Sequence, residues 1–466
     1  MLTGLPRFVV AAPGSGHGKT MIATGLMAAL RARGLEVSPH KVGPDYIDPS
    51  YHGLAAGRVG RNLDPMLQGE ERIVPLLLHG ASTPTLADVA VIEGVMGLFD
   101  GQLGGAGFSS TAHVARLVQA PVVLVVDCAA ASRSVGAVVH GFTTYDPDVR
   151  VAGVILNNVA SPRHEAEVRA SIVGIPVLGV VPRLPEIVVP SRHLGLIPVA
   201  ERAPEALAAV DALADLIGAH VDLDALLELA ASAPDLDAEP WSPAMPGAGA
   251  ESAGERVETP TVAVFGGPAF SFTYAENVEQ LTAAGAHVVT VDPLAGDRLP
   301  LGTAAVVIGG GFPEMHLDAL AANAQLLEDV RAFAAAGGPA VAECAGLLYL
   351  GQVLDGVEMA GVVPMTAAMT RRLTLGYRRA TALADGPLVR KGEQVTGHEF
   401  HKTAVSYDAP GQETWQWELH DGTSATEGWV SGNVHASYLH VHGAGHPEHA
   451  ERLVALARSY AASVPA

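Results

Sequence analysis

The sequence predicts an α/β protein of two domains, each built on a mostly parallel sheet flanked by helices. Three observations carry this. Short, almost wholly apolar runs such as Val122-Val123-Leu124-Val125-Val126 alternate with helix-length segments, as strands buried on both faces of a parallel sheet do. One stretch, with Pro240, Pro243, Pro246, Gly247, Gly249 and Gly254, breaks the alternation and has no periodicity, which is how a linker reads. Glycines and carboxylates gather just past the ends of the apolar runs, where open α/β sheets build their sites. The expected division is 1–236 for the first domain, 237–259 for the linker and 260–466 for the second.

Composition narrows the function classes. The 466 residues are 49% hydrophobic and 17% charged, a globular balance. A net charge of −21 argues against partners that are nucleic acids or anionic membranes, though not against small anions held in a locally positive site. Two cysteines, Cys128 and Cys344, are too few for a disulfide framework and fit a reducing compartment. No run is long and clean enough to span a bilayer, and Met1 to Arg7 lacks a signal-peptide pattern, so the expectation is a cytoplasmic protein.

The first strand is Phe8-Val9-Val10-Ala11-Ala12, followed by Pro13-Gly14-Ser15-Gly16-His17-Gly18-Lys19-Thr20 and an apolar helical run from Met21 to Leu30. Strand, glycine-rich loop, Gly-Lys-Thr and helix is the phosphate-binding P-loop order, with Pro13 in place of the usual first glycine. Gly16 and Gly18 free backbone N–H groups for phosphate oxygens, Lys19 supplies a charge for the β- and γ-phosphates of ATP, and Thr20 supplies a hydroxyl for Mg²⁺. The strand Val37–Val42 runs into Lys41, Asp45, Tyr46 and Asp48, and the strand Val89–Ile92 runs into Glu93 and Asp100. Hard Mg²⁺ takes carboxylate oxygens beside phosphates, which makes Asp45 and Glu93 the expected pair alongside Thr20. Asp48, Asp64 and Asp100 fit either a substrate site or turns closed by their own side chains. Further strands are expected at 121–127, 151–156 and 175–181, with Asn157 and Arg183 at strand ends.

The second domain opens at Thr261-Val262-Ala263-Val264-Phe265, with strands following at 286–291 and 304–308. Gly309-Gly310-Gly311 follows a strand, so Gly310 and Gly311 can offer backbone N–H groups to an oxyanion. Ala340-Val341 then leads into Ala342-Glu343-Cys344-Ala345-Gly346 and the apolar run Leu347–Leu350. A nucleophile between a strand and a helix, among small residues, is an elbow arrangement, here with a thiol. A helix N-terminus favours thiolate, and a downstream histidine can take its proton. The histidines of the tail match no zinc-ligand spacing.

Together these motifs resemble the corrinoid glutamine amidotransferases that make cobyrinic or hydrogenobyrinic acid a,c-diamide. Arg61-Asn62-Leu63-Asp64-Pro65, Gly310-Gly311-Phe312-Pro313-Glu314, Gly397-His398-Glu399-Phe400-His401 and Ala436-Ser437-Tyr438-Leu439-His440 fit that family in order. The resemblance implies a first domain similar to dethiobiotin synthetase and a second similar to class I glutaminases with a reduced triad. It implies Cys344 as nucleophile, His435 as its base, and Gly310, Gly311 and Ala345 at the oxyanion. In the synthetase site it implies Lys19, Thr20, Asp45, Asp48, Glu93 and Asp100, with Lys41, Tyr46 and Asp64 around the substrate. Ser437 stands two residues after His435, where class I glutaminases carry a carboxylate. The implied partners are a corrinoid, ATP and glutamine, with Mg²⁺; a homodimer is admitted. Cobyric acid synthase, sirohydrochlorin a,c-diamide synthase and a P-loop switch ATPase are the alternatives. The last of these expects an early second lysine, which the loop lacks.

Overall fold

The computed structural model describes residues 4–183, 191–192, 195–196, 199–201, 203–243, 259–408, 412–419 and 421–464. Residues 244–258 of the expected linker lie outside them. The chain forms two compact units, Met1–Trp241 and Ser242–Ala466.

In the first unit, strands β1 (Arg7–Ala11), β2 (Val37–Val42), β3 (Arg61–Leu63), β4 (Val89–Glu93), β5 (Val122–Asp127), β6 (Val151–Val159) and β7 (Val177–Pro182) form one sheet in the order β3-β2-β4-β1-β5-β6-β7. Every neighbouring pair is parallel. β1, β2 and β4 are buried along their whole length, which is why β1 and β4 read as nearly continuous apolar runs, while β2 buries Ser38, His40 and Lys41 as well. The winding reverses at β1, which lies between β4 and β5, and the glycine-rich loop leaves its C-terminal end at that switch point. The helix Lys19–Ala32 follows, with Ile22, Ala23, Leu26, Met27 and Leu30 on its buried side.

In the second unit, β8 (Thr261–Phe265), β9 (His287–Val291), β10 (Thr303–Ile308) and β11 (Ala340–Glu343) join two strands from much later in the chain, β14 (Trp429–Ser431) and β15 (Val434–Ser437). The order is β9-β8-β10-β11-β15-β14, parallel except for the last pair. Between them run β12 (Met365–Ala382) and β13 (Gln394–Tyr407), a long antiparallel pair that the apolar pattern does not announce. Much of β12 is half-buried or exposed, and it carries Arg371, Arg372, Arg378 and Arg379. The short strand β16 (His440–Val441) pairs with β13 and so leads away from the central sheet immediately after β15.

Two apolar cores cover the faces of this central sheet. Ala340, Ala342, Val434 and Ala436 belong to one, together with Cys344 and Tyr438. Val341 belongs to the other, together with Trp415. Successive residues of a strand point to opposite faces, so these memberships fix which side each neighbour occupies.

Candidate active sites

In the first unit, Gly18 has φ of 86° and ends the loop one residue before the helix. A Cβ at Gly18 would lie 2.3 Å from Asn157 Nδ2, and that amide donates to His17 O at 3.0 Å. Asp127 N donates to His17 Nδ1 at 3.0 Å, so the ends of β5 and β6 hold the loop. Gly16 also has positive φ, with open space around it. Lys19 Nζ donates to Gly14 O at 3.2 Å and Met96 O at 2.5 Å, curled into the loop it would share with a phosphate.

Five side chains converge beside it. Thr20 Oγ1 donates to Glu93 Oε1 at 2.6 Å and lies 3.3 Å from Asp48 Oδ2. Lys41 Nζ donates to Asp48 Oδ2 at 2.6 Å, Glu93 Oε1 at 2.8 Å and Gly94 O at 3.2 Å. His52 Nε2 lies 2.6 Å from Glu93 Oε2. Burial alone would lower the Lys41 pKa, but Asp48, Glu93 and Asp45 together hold it above its ordinary value. Burial would raise Glu93, yet Lys41 and His52 draw it down to about 2. Asp48 rises to about 6, through burial and the neighbouring Asp45 charge. Lys19 is lowered by burial and by Lys41. Ionisable groups perturbed this strongly and buried together mark a candidate functional site.

Asp45 takes a different part from the one expected of a metal ligand. Its Oδ1 accepts from Ile47 N at 2.7 Å and Asp48 N at 3.0 Å, so it shapes the start of the helix Asp48–Ala56; Asp48 is the carboxylate that meets Thr20 and Glu93. Asp64 is fully buried and caps the helix Pro65–Gln68, accepting from Met66 N at 2.9 Å. That is its turn reading. Asn62, unmarked as a site residue, donates to Gly43 O and Asp45 O at 2.7 Å each and so fixes the loop carrying the carboxylates. Asp100 accepts from Gly97 N at 3.0 Å and adds its charge near Lys19. Tyr46 is half-buried in the same loop as Asp45.

The donor set suits a hard divalent cation. Asp48 Oδ2 and Glu93 Oε1 already share the Lys41 ammonium at 2.6 and 2.8 Å, and the Thr20 hydroxyl oxygen lies 2.6 Å from Glu93 Oε1 and 3.3 Å from Asp48 Oδ2.

In the second unit, Cys344 sits between β11 and the helix Ala345–Leu350 with φ of 51° and ψ of −102°. A residue other than glycine held in that region marks a sharp, over-determined turn. Cys344 N donates to Ser437 O at 2.7 Å, and the thiol lies 3.8 Å from Phe400 O. Burial and Glu314 push the thiol up to about 12, against the backbone N–H groups of Ala345 and Gly311, which favour thiolate. Gly310 does not share that role. Its N–H donates to Phe272 O at 3.2 Å, leaving Gly311 and Ala345 as the pair beside the sulfur. A Cβ at Gly311 would come within 2.1 Å of Ala269 O, so only glycine allows this approach.

His435 is not beside the thiol. It pairs in register with Val341, three residues before Cys344, and so shares the face of Val341 and Trp415. Its ring packs edge-on against Trp415, with centroids 5.5 Å apart, and burial lowers its pKa to about 4. Cys344 belongs to the opposite face. The histidine that does come round is His440, just past the end of β15. A Cβ on Gly310 would lie 2.4 Å from His440 Cε1 and 3.3 Å from Nε2, and His440 Nδ1 is 3.8 Å from Glu343 Oε2. Burial, His398 and His401 lower the His440 pKa to about 3, so the resting ring is neutral. Counted from His440, the residue two places on is His442, not Ser437. His442 Nδ1 accepts from Ala444 N, while Ser437 Oγ donates to Glu427 Oε2 at 2.6 Å.

Residues 8–197 match the CobQ/CobB/MinD/ParA nucleotide binding domain, and residues 261–447 match the CobB/CobQ-like glutamine amidotransferase domain. The chain is 51% identical to a hydrogenobyrinate a,c-diamide synthase of Streptomyces coelicolor, across 98% of both chains. It belongs to the a,c-diamide synthase family. A second hydrogenobyrinate a,c-diamide synthase of the family, from Thermobifida fusca, is 52% identical over 97% of this chain and 96% of its own. A cobyrinate a,c-diamide synthase from Synechococcus is 39% identical over 94% and 95%. Among the described residues of this family member, no helix is long and apolar enough to cross a membrane.

Proposed function

We propose that this chain is a glutamine-hydrolysing ligase that amidates the a and c carboxylates of a corrinoid precursor of cobalamin at the expense of ATP. The observation that carries the reading is end-to-end similarity: identity near one half runs through both units at once, in relatives named as a,c-diamide synthases. Those named for hydrogenobyrinate are closer than the one named for cobyrinate, which favours the metal-free ring as substrate. ATP and glutamine as co-substrates favour the cytoplasm.

A carboxylate does not react with ammonia, because the leaving group would be oxide. Transfer of the ATP γ-phosphate to a carboxylate oxygen makes an acyl phosphate, and ammonia then displaces phosphate. In the first unit, Lys19 swings from Gly14 O and Met96 O onto the phosphates, and the loop N–H groups cradle them. Thr20, Asp48 and Glu93 would hold Mg²⁺, which when bound offsets the charge between the two anions. Lys41 keeps Asp48 and Glu93 ionised and aligned. In the second unit, His440 takes the Cys344 proton, and sulfur attacks the glutamine side-chain carbonyl. The developing oxyanion meets the N–H groups of Gly311 and Ala345. His440 then protonates the departing nitrogen. Water hydrolyses the remaining glutamyl thioester to glutamate.

The test is Cys344→Ser with hydrogenobyrinate, ATP and either glutamine or an ammonium salt. Glutamine-dependent product falls below detection, and ammonium-dependent product persists. Loss of both overturns the two-site reading.

A further inference from the structure

The catalytic carboxylate that usually orients a glutaminase histidine is absent two residues after His440, where His442 stands instead. A neutral imidazole has two tautomers, and only the one with hydrogen on Nδ1 leaves Nε2 able to accept the thiol proton. Something must select it. We propose that Glu343, the residue immediately before the nucleophile, is the positioning acid for His440, its carboxylate accepting from Nδ1–H. The inference rests on the assignment of Cys344 and His440 above.

The geometry supports this from both sides of the ring. Glu343 Oε2 is 3.8 Å from Nδ1, within ion-pair reach and longer than a hydrogen bond, so the carboxylate closes on the ring when it accepts, while the Cε1–Nε2 edge lies against Gly310, next to Gly311, whose N–H reaches the Cys344 sulfur. The other carboxylate oxygen, Oε1, accepts from Val441 N at 3.3 Å, one residue after His440, so the acid is fastened to the same turn as the ring it faces. The arrangement follows from the strand pairing. Glu343 lies beside Ser437 in register, and the chain leaves that strand to bring His440 over the end of β11. A side chain at the last position of β11 is thus fixed by the same backbone that places Cys344.

The other charged or titratable groups near the pair do not do this work. His398 is paired with His440 across the β13–β16 ladder, and His401 is stacked on Tyr438 at 3.6 Å between centroids; both repel a charged His440. Glu399 is held by Arg378 at 2.6 Å, and Glu314 acts on the thiol. The arrangement also has a resting state. Burial pushes the Glu343 carboxyl up to about 8, opposed only by the Val441 N–H, so near neutral pH it keeps its proton. An O–H on Glu343 donates to Nδ1 and drives the ring hydrogen to Nε2, the atom that must be bare. Loss of that proton as pH rises restores the productive tautomer. When the thiol proton then moves to Nε2, the carboxylate faces an imidazolium and stabilises it.

The experiment follows alkylation of Cys344 by a chloroketone analogue of glutamine between pH 6 and 9.5, using the full chain with wild type, Glu343→Gln, Glu343→Asp and Cys344→Ser in parallel. For wild type the rate rises with a midpoint near 8. Glu343→Gln, isosteric but unable to ionise, loses the inflection near 8, keeps only the rise from the thiol's own ionisation above this range, and slows by roughly 10- to 100-fold. This is less than the loss for a serine nucleophile without its acid, because thiolate is the better nucleophile. Glu343→Asp keeps the charge and recovers the inflection with part of the rate. Circular dichroism establishes that each variant is folded, and the aspartate variant carries the test if the glutamine variant is not. A Glu343→Gln rate and pH profile equal to wild type overturns the inference. Glutamine-dependent synthesis surviving in Cys344→Ser overturns instead the reading on which it rests.

Discussion

Glu93→Gln separates the electrostatics of the first unit from its shape. Glu93 is fully buried and meets Thr20 at 2.6 Å, Lys41 at 2.8 Å and His52 at 2.6 Å. Glutamine keeps the volume and removes the charge. A carboxyl drawn from its ordinary 4.5 down to about 2 contributes on the order of 3 kcal/mol of stability above pH 4.5. The sign follows from proton counting: the unfolded chain binds the proton more readily, so the contribution is present above the unfolded pKa and is lost as pH falls from 4.5 towards 2. The cost of orphaning a buried cation, about 3–5 kcal/mol, gives an independent figure, reduced here because Lys41 keeps Asp48 at 2.6 Å. Both routes lead to about 3 kcal/mol. Amide hydrogen exchange of the segment 89–93, corrected for intrinsic rates, should show protection reduced by roughly 100-fold at pH 7.5 and by only about a few-fold at pH 2.5, close to the folded pKa. ATP-dependent synthesis should be lost while Cys344 still alkylates. Protection within twofold of wild type at pH 7.5, or a difference that does not shrink in acid, refutes the assignment of Glu93 as the ionised hub.

The two histidines make opposite predictions. His440→Ala should slow Cys344 alkylation by about 100-fold or more by removing the base, with ammonium-dependent synthesis retained. His435→Ala should leave alkylation near wild type and lower stability by roughly 1–3 kcal/mol, read as a fall in the unfolding midpoint, because it opens a cavity against Trp415. Gly311→Ala forces a methyl to within 2.1 Å of Ala269 O, so the loop must move and carry its N–H away from the sulfur. Glutamine-dependent activity should fall by about 100-fold or more, the usual cost of one oxyanion donor, with little change in the ammonium reaction.

Much of this was legible in the sequence because strands buried on both faces leave an unambiguous apolar signature. The P-loop and the thiol elbow also carry their own local geometry. Lys41, Asp48 and Glu93 were visible as polar residues at strand ends, but their partition was not. Asp45, Asp48 and Asp64 are alike in composition and position, and only hydrogen bonding separates two turn-makers from the one that meets Thr20. The length and pairing of β12 were not legible because its exposed face carries arginines, which blurs the alternation.

The misplaced histidine has a sharper cause. Parity within β15 decides the face, and Val434 and Ala436 share the side of Cys344 while His435 does not. Depth along the strand decides too. Cys344 follows the last residue of β11, so its partner must also lie past the end of the neighbouring strand, and in that register Glu343 stands beside Ser437. The rule that places sites beyond the carboxyl ends of parallel strands, applied to the first domain to pick out Asp45, Asp48 and Glu93, selects His440 over His435 when applied to the second. The same reasoning brings Glu343 forward. As the last residue of β11 it is the one side chain on the nucleophile strand that both precedes the thiol and faces the turn from which the histidine returns, so nucleophile and orienting acid become neighbours in sequence and the base the distant member.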